Sequence, residues 1–358
     1  MPYTNIDDPS VHFQVETYTG AGANTSVTFS GNSDLKPDFL WLKNRTAGYA
    51  HATFDSNRNL GSAVNAPFLE PNATSAENSN QNWWNATNYG INTDGFQFGS
   101  VSEHNLNNLG SEYVAWAWKA NGGTTSSNTD GTITSTVQAN QDAGFSIVTW
   151  TGNENSSATV GHGLGVKPDM VFFKRRNATY NWVVYCGQLG IVGGNNMFAY
   201  LNLTNAAEQG AGFNFTSTTI TPTNGAPTNS GLMLAYCFAE KQGYSKFGSY
   251  VGNGNANGPF IYTGFKPAWI MIKDSESSGD NWQIVDTKRD PYNPQLKYVQ
   301  ADNDNAEGSF TMVDILSNGF KLRSTYFVGP NVDGHKTIYM AFAENPFTTS
   351  TGIPTTAR

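Results

Sequence analysis

The sequence predicts an all-β protein built as three tandem β-sandwich modules of jelly-roll or lectin-like type. Three observations carry that expectation. Aromatic residues make up 13% of the 358-residue chain, charged residues only 13%, and glycine occurs 37 times in a background of Asn, Ser and Thr. Aromatics favour pleated strands, and small amide or hydroxyl residues favour turns. Helical periodicity is nearly absent; only Ala206-Ala207-Glu208-Gln209 suggests a short helical turn. The third observation is internal repetition, with units of a size that builds one sandwich core each.

Two blocks define the repeat. The first reads Leu35-Lys36-Pro37-Asp38-Phe39-Leu40-Trp41-Leu42-Lys43, then Val166-Lys167-Pro168-Asp169-Met170-Val171-Phe172-Phe173-Lys174. Its third copy is Phe265-Lys266-Pro267-Ala268-Trp269-Ile270-Met271-Ile272-Lys273. The closing block reads Val114-Ala115-Trp116-Ala117-Trp118, Leu234-Ala235-Tyr236-Cys237-Phe238 and Ile338-Tyr339-Met340-Ala341-Phe342. Between the blocks, copies 2 and 3 share Asn181-Trp182 and Asn281-Trp282, and copies 1 and 3 share Asp55…Arg58 and Asp286…Arg289. The resulting division is an N-terminal arm plus module 1 over 1–120, a Gly/Ser/Thr-rich linker over 121–143, module 2 over 144–240, module 3 over 241–347 and a tail over 348–358. Modules 2 and 3 abut and are expected to pack rigidly. Within the linker, Thr132 to Val137 alternates and could add an edge strand.

The first block is apolar on both alternating faces, the mark of a strand buried on both sides. Proline precedes it, where a missing N–H is tolerated. Lys43, Lys174 and Lys273 close it, and a charged end reaching into water is the expected state. In the closing block one face is bulky and the other small. The bulky face should fill a core, and the alanine face should lie close against another layer.

Charge narrows the function. Twenty basic residues against 28 acidic ones leave a net charge of −8. No cluster of Lys and Arg suits a phosphate backbone, so no nucleic-acid partner is expected. No apolar run is long enough for a membrane helix, so no membrane insertion is expected. Met1 to Ser10 is polar and acidic, unlike a signal peptide. Cys186 and Cys237 are too few for a disulfide framework; burial as free thiols is the expected state.

The chemistry-bearing motifs are sparse. The five histidines lack metal-ligand spacing, and neither a nucleophile elbow nor a phosphate loop appears. No catalytic residue and no cofactor is assigned. Acids such as Asp286, Asp290 and Glu307 could pair as in a glycosidase. The Asp–Arg pairs read better as brackets holding a loop, with Tyr185 at the aspartate's place in copy 2. Asp302, Asp304 and Glu307 offer calcium-type oxygens without the spacing of an EF-hand. Trp83 and Trp84 in an Asn-rich stretch, with Tyr180, Tyr326 and Phe327, are candidates for glycan or subunit contact.

Several stretches resemble the repeat modules of virion proteins from tailed bacteriophages, marine ones especially. They are Ile6-Asp7-Asp8-Pro9-Ser10 with Lys36-Pro37-Asp38, Gly144-Phe145-Ser146-Ile147-Val148 with Gly161-His162-Gly163, and Gly264-Phe265-Lys266-Pro267 with Asn318-Gly319-Phe320 and Ala341-Phe342-Ala343-Glu344-Asn345-Pro346-Phe347. The resemblance implies a virion surface protein, made in the host cytoplasm: a tail fibre or other receptor-binding component used in host recognition. A capsid decoration or structural tail protein is the alternative, and a capsule depolymerase a minor one. Expected partners are other virion proteins, further copies of the chain (a trimer first) and a host surface glycan. The resemblance carries no catalytic residues.

Overall fold

The computed structural model describes residues 3–60, 66–78, 90–98, 106–155, 157–192, 195–210, 214–221, 231–324 and 329–355. Within them the chain is all-β, and the three repeats fold alike. Each begins with an opening strand: Phe13–Thr19, Phe145–Thr151 or Ser245–Val251. Its neighbour is the closing-block strand, Glu112–Trp118, Leu232–Phe238 or Lys336–Pro346. Then comes the first-block strand, Phe39–Asn44, Met170–Arg175 or Phe265–Asp274. A flanking strand follows, Ala52–Asp55, Val183–Cys186 or Gln283–Asp286. The order opening–closing–first–flanking is the same in all three sheets, and all pairs are antiparallel. Register is matched too: Phe39, Met170 and Trp269 lie opposite Trp118, Phe238 and Phe342.

A second, smaller layer completes each sandwich. In repeat 1 it is Thr25–Val27, Phe96–Phe98 and Gly90–Ile91; in repeat 2 it is Val160–Gly161, Thr219–Thr221 and Asn214–Phe215. In repeat 3 the main sheet continues through Gln295–Gln300 and Gly308–Leu316 into Gly319–Leu322 and Phe260–Tyr262, so one sheet folds over itself.

Strand alternation divides the side chains between two kinds of core. The alanine face of each closing block turns toward its own sandwich. Ala115 and Ala117 pack with Leu40, Leu42, Phe54 and Phe96 in repeat 1. Ala235 and Cys237 do so with Val171 and Phe173, and Ala341 with Ile270 and Ile272. The bulky face turns the other way, into a single central cluster shared by all three repeats. There Trp118 meets Trp269 edge-on at 5.8 Å, Phe39 lies 4.2 Å from Tyr236, and Phe238 meets Phe342 at 6.1 Å. These contacts join repeats 1 and 3, 1 and 2, and 2 and 3. Modules 2 and 3 do pack together, and module 1 packs against both. All three form a closed ring around one aromatic core, because each repeat has a second apolar face that no single sandwich can bury.

The structure meets some further expectations, the edge strand within 121–143 and the buried cysteines, and corrects others. The stretch 121–143 is not a plain linker: it carries strands Ser126–Asn128 and Ser135–Asn140. The second pairs with the opening strand of repeat 2, Asn140 opposite Phe145, and covers what would otherwise be a free sheet edge. No helical turn forms at 206–209; Glu208–Gln209 pairs instead with Met197 and Phe198 as a short strand. The tail folds back through a Thr348–Pro354 bridge and holds Asp7 with Ser350. Cys186 and Cys237 are buried free thiols. They face the central core and the sandwich of repeat 2 respectively, so they cannot bond to each other. Burial pushes both thiols up to about 12.

Candidate functional site

The densest polar chemistry among the described residues lies at the seams between repeats. Each repeat carries a docking loop after its flanking strand, and the loops align as Glu70 to Glu77, Tyr200 to Ala207 and Gln300 to Glu307. A side-chain oxygen pins each loop to its own repeat. Asn72, Asn202 and Asp302 accept from the backbone N–H of His51, Trp182 and Trp282 at 2.9, 2.8 and 2.9 Å.

The next repeat then plugs into the loop. Lys43 donates to the carbonyls of Tyr49 at 2.7 Å and Asp304 at 2.9 Å. Lys174 donates to Thr74 at 3.0 Å and to Tyr180. Lys273 donates to Thr204 at 3.1 Å and to Asp280. Repeat 1 thus reaches repeat 3, repeat 2 reaches repeat 1, and repeat 3 reaches repeat 2. A ring side chain makes the same circuit. Trp182 donates to Glu70 O at 2.9 Å and Trp282 to Tyr200 O at 2.8 Å. His51 stands in their place and reaches Gln300 O at 2.9 Å. The indole N–H of Trp41, which can only donate, meets His51 Nδ1 at 2.9 Å. His51 is therefore the neutral Nε2–H tautomer, and burial followed by the Lys43 charge holds its pKa well below the usual value.

The three lysines are not solvated strand ends; they are 0, 0 and 1% exposed. A solvated end was the wrong expectation because a neighbouring loop covers each one and replaces its water with carbonyl oxygens. Burial pushes Lys43 and Lys174 down to about 8 and lowers Lys273 as well. A base whose folded pKa is depressed adds stability that is complete above its unfolded value and fades as pH falls through the folded one. The urea midpoint should therefore rise between about pH 8 and 9.5, below the range where tyrosines ionise. Lys43→Met with Lys174→Met should flatten that rise; an unchanged slope would show that the lysines titrate normally.

Two seams add a buried charge network. Arg58 binds Asp55 at 2.6 Å and Glu77 at 2.9 Å, and Glu77 also takes Arg176 of repeat 2 at 2.8 Å. Arg289 binds Asp286 at 2.5 Å and Glu307 at 3.2 Å, and Glu307 takes Arg45 of repeat 1 at 2.8 Å. A donor from the neighbouring closing strand completes each aspartate: Tyr236 to Asp55 at 2.6 Å, and Trp116 to Asp286 at 3.1 Å. Burial would raise Glu77 and Glu307, but their arginine partners outweigh it and hold both carboxyls low.

The third seam replaces every member. Met170 lies opposite Cys186 as Phe39 lies opposite Asp55, so Cys186, rather than Tyr185, holds the aspartate's place. Leu189 replaces the arginine, Ala207 the glutamate, Ser275 the neighbour's arginine and Met340 the closing-strand donor. The backbone tie survives in all three: Glu77, Ala207 and Glu307 donate to Arg176, Ser275 and Arg45 at 2.6, 2.8 and 2.8 Å. Losing the charges together leaves none unpaired, which is the tolerable way to lose them.

The candidate site residues fall as follows. Asp302, Asp304 and Glu307 do not form a calcium site. Asp302 caps Trp282 and takes Asn281 at 2.7 Å, Asp304 gives its carbonyl to Lys43, and Glu307 is held by two guanidiniums. Cations already hold Asp304 and Glu307, and neutral N–H donors hold Asp302. Asp286 is locked to Arg289, and Asp290 accepts the Leu296 N–H at 2.6 Å. Tyr180 is a half-buried seam residue whose N–H donates to Thr74 O at 2.8 Å. Trp83, Trp84, Tyr326 and Phe327 lie outside the described residues. The docking loops were missed by sequence reasoning. Their signal is Asn72-x-Thr74, Asn202-x-Thr204 and Asp302-x-Asp304, each followed three residues later by Glu77, Ala207 or Glu307.

Grooves also open at the surface among the described residues. One, of about 430 Å³, follows the seam of repeats 1 and 3, with Val15, Ala268, Lys266, Lys288 and Glu344 in its walls. Another, of about 380 Å³, lies on repeat 2 and is rich in amide and acid groups: Asn121, Asn128, Asp130 and Gln141 beside Gly163 and Thr218.

The chain belongs to the family of a domain of unknown function, DUF7483, whose family model matches residues 8–346. That span runs through all three repeats, so the family unit is the whole ring. No curated protein and no solved structure matches the chain significantly.

Proposed function

We propose that the chain is a non-catalytic surface protein of a bacteriophage particle, a tail fibre or other receptor-binding component. The observation that carries the reading is the use of buried charge. Lysines, arginines and acids that could do chemistry in a cleft are spent on locking three sandwiches into one ring. A rigid body of this kind presents its loops in fixed orientation, as an adhesion module requires. The amide-lined groove on repeat 2 suits the hydroxyls of a glycan. Low charge and an amide-rich surface fit an exposed particle protein that binds by many weak contacts.

A second reading, a capsid decoration or structural tail protein, is favoured by the groove at the seam of repeats 1 and 3, which suits a neighbouring subunit. Gold-labelled antibody against this chain, applied to intact virions, separates the two. Label on the tail or its fibres is the expected result. Label spread over the head would replace the first reading with the second, and unlabelled particles would overturn both.

A further inference from the structure

The ring repeats its lysine and backbone ties at every seam, but its sheet edges differ. Every opening strand borders a seam, and the three borders differ. In repeat 2, strand Ser135–Asn140 lies along the opening strand and reaches the corner of repeat 1. Ser56 donates to Gln138 Oε1 at 3.0 Å, and Asn57 donates to the carbonyls of Thr136 and Ile147 at 3.0 and 3.1 Å. Beneath that strand Ile147 and Asp38 are both 0% exposed. In repeat 3 the position of Ile147 is taken by Phe247, whose larger ring is buried against Phe238 and Phe342.

In repeat 1 the corresponding residue is Val15, opposite Trp116 as Ile147 is opposite Tyr236. Neither solution is present here. The strand Phe13–Thr19 is a sheet edge, and Val15 and Ala268 stay half-buried at the rim of the central core. The Thr17 N–H meets the neighbouring Glu16 carboxylate at 3.0 Å rather than another strand. The preceding segment cannot fold back to fill the gap, because Tyr3 and Thr4 are tied to Gly264 and Gln242 of repeat 3. The 430 Å³ groove runs beside this edge, with Phe13, Gln14 and Val15 in its wall and Lys288 reaching Glu16 across the seam at 3.3 Å.

We propose that the groove receives an extended segment of a partner polypeptide, which adds to the edge Phe13–Thr19 as Ser135–Asn140 adds to Phe145–Thr151. Strand addition gives affinity through main-chain hydrogen bonds and specificity through alternate side chains. The internal counterpart defines the chemistry: amide or hydroxyl residues toward the seam, as Thr136, Gln138 and Asn140, alternating with small or β-branched residues, as Ser135, Val137 and Ala139. Lys288 and Thr287 take the places of Asn57 and Ser56 as the facing corner. The inference rests on the assembly reading only in taking the partner to be another protein of the particle.

The test uses the full chain and a synthetic peptide with the sequence of residues 132–141, at millimolar concentration. Amide hydrogen exchange at Val15 and Thr17 should slow by at least about tenfold, the effect of about 1.4 kcal/mol of local protection. Ala268→Trp, which fills the groove floor, should abolish the slowing; Lys288→Trp, at an exposed wall position, serves the same end should the first variant fail to fold. Unchanged exchange across 13–19, or equal slowing in the filled variant, overturns the proposal. Particle labelling is independent of this result, so the two readings can fail separately.

Discussion

Arg58→Ala should cost about 3–5 kcal/mol of stability, because it strands buried Asp55 without its cation and leaves Glu77 to Arg176 alone. Arg58 is buried, and its guanidinium bonds Asp55, Glu77 and the Tyr236 hydroxyl across the seam of repeats 1 and 2. The third seam shows how the same place is built without charge. Copying it as Asp55→Cys, Arg58→Leu, Glu77→Ala and Arg176→Ser, with Tyr236→Phe to keep ring volume, should destabilise less than Arg58→Ala alone. Removing a whole buried network is often near neutral, whereas breaking it is not. Urea unfolding of the two variants decides the matter. A fivefold variant less stable than the single one would mean that the network contributes more than its mutual neutralisation.

The second large effect is in the central core. Trp118 touches Phe13 and Phe39 of its own repeat, Phe238 of repeat 2, and Trp269 and Phe342 of repeat 3. Trp118→Ala should cost about 3–5 kcal/mol through lost burial and the cavity left behind. Its indole N–H has no acceptor among the described residues, so part of the benefit of burying the ring is already offset. What distinguishes a shared core is the extent of the damage. Amide protection should fall in all three repeats together, while Phe96→Ala, in the sandwich core of repeat 1, should loosen repeat 1 first. Loss confined to repeat 1 in the Trp118 variant would show three independent domains instead of one ring.

Fold class, repeat number and the two strand blocks of each repeat are legible in the chain. They follow from strand alternation, which is a local property of Phe39 to Lys43 and Val114 to Trp118. The two unequal faces of the closing block are legible as well, but their destinations are not. A bulky face looks the same whether it fills its own sandwich or a core shared with two others. Lys43 illustrates the limit: a lysine at a strand end reads as solvated, and only the loop of repeat 3, some 260 residues away in sequence, makes it a buried donor. Asp302 and Glu307 read as calcium ligands for the same reason, since the Trp282 N–H that holds the first and the guanidiniums that hold the second come from elsewhere in the sequence.

The sequence by itself determined three sandwiches of one pattern and excluded a basic, membrane-helical or disulfide-built protein. Tertiary structure alone decided that the repeats close into a ring, that two seams carry buried charge where the third carries uncharged groups, and that no strand covers the edge Phe13–Thr19 at its seam among the described residues. Periodicity is set by nearest neighbours along the chain, whereas burial, pairing and vacancy are set by what another repeat brings to the same place.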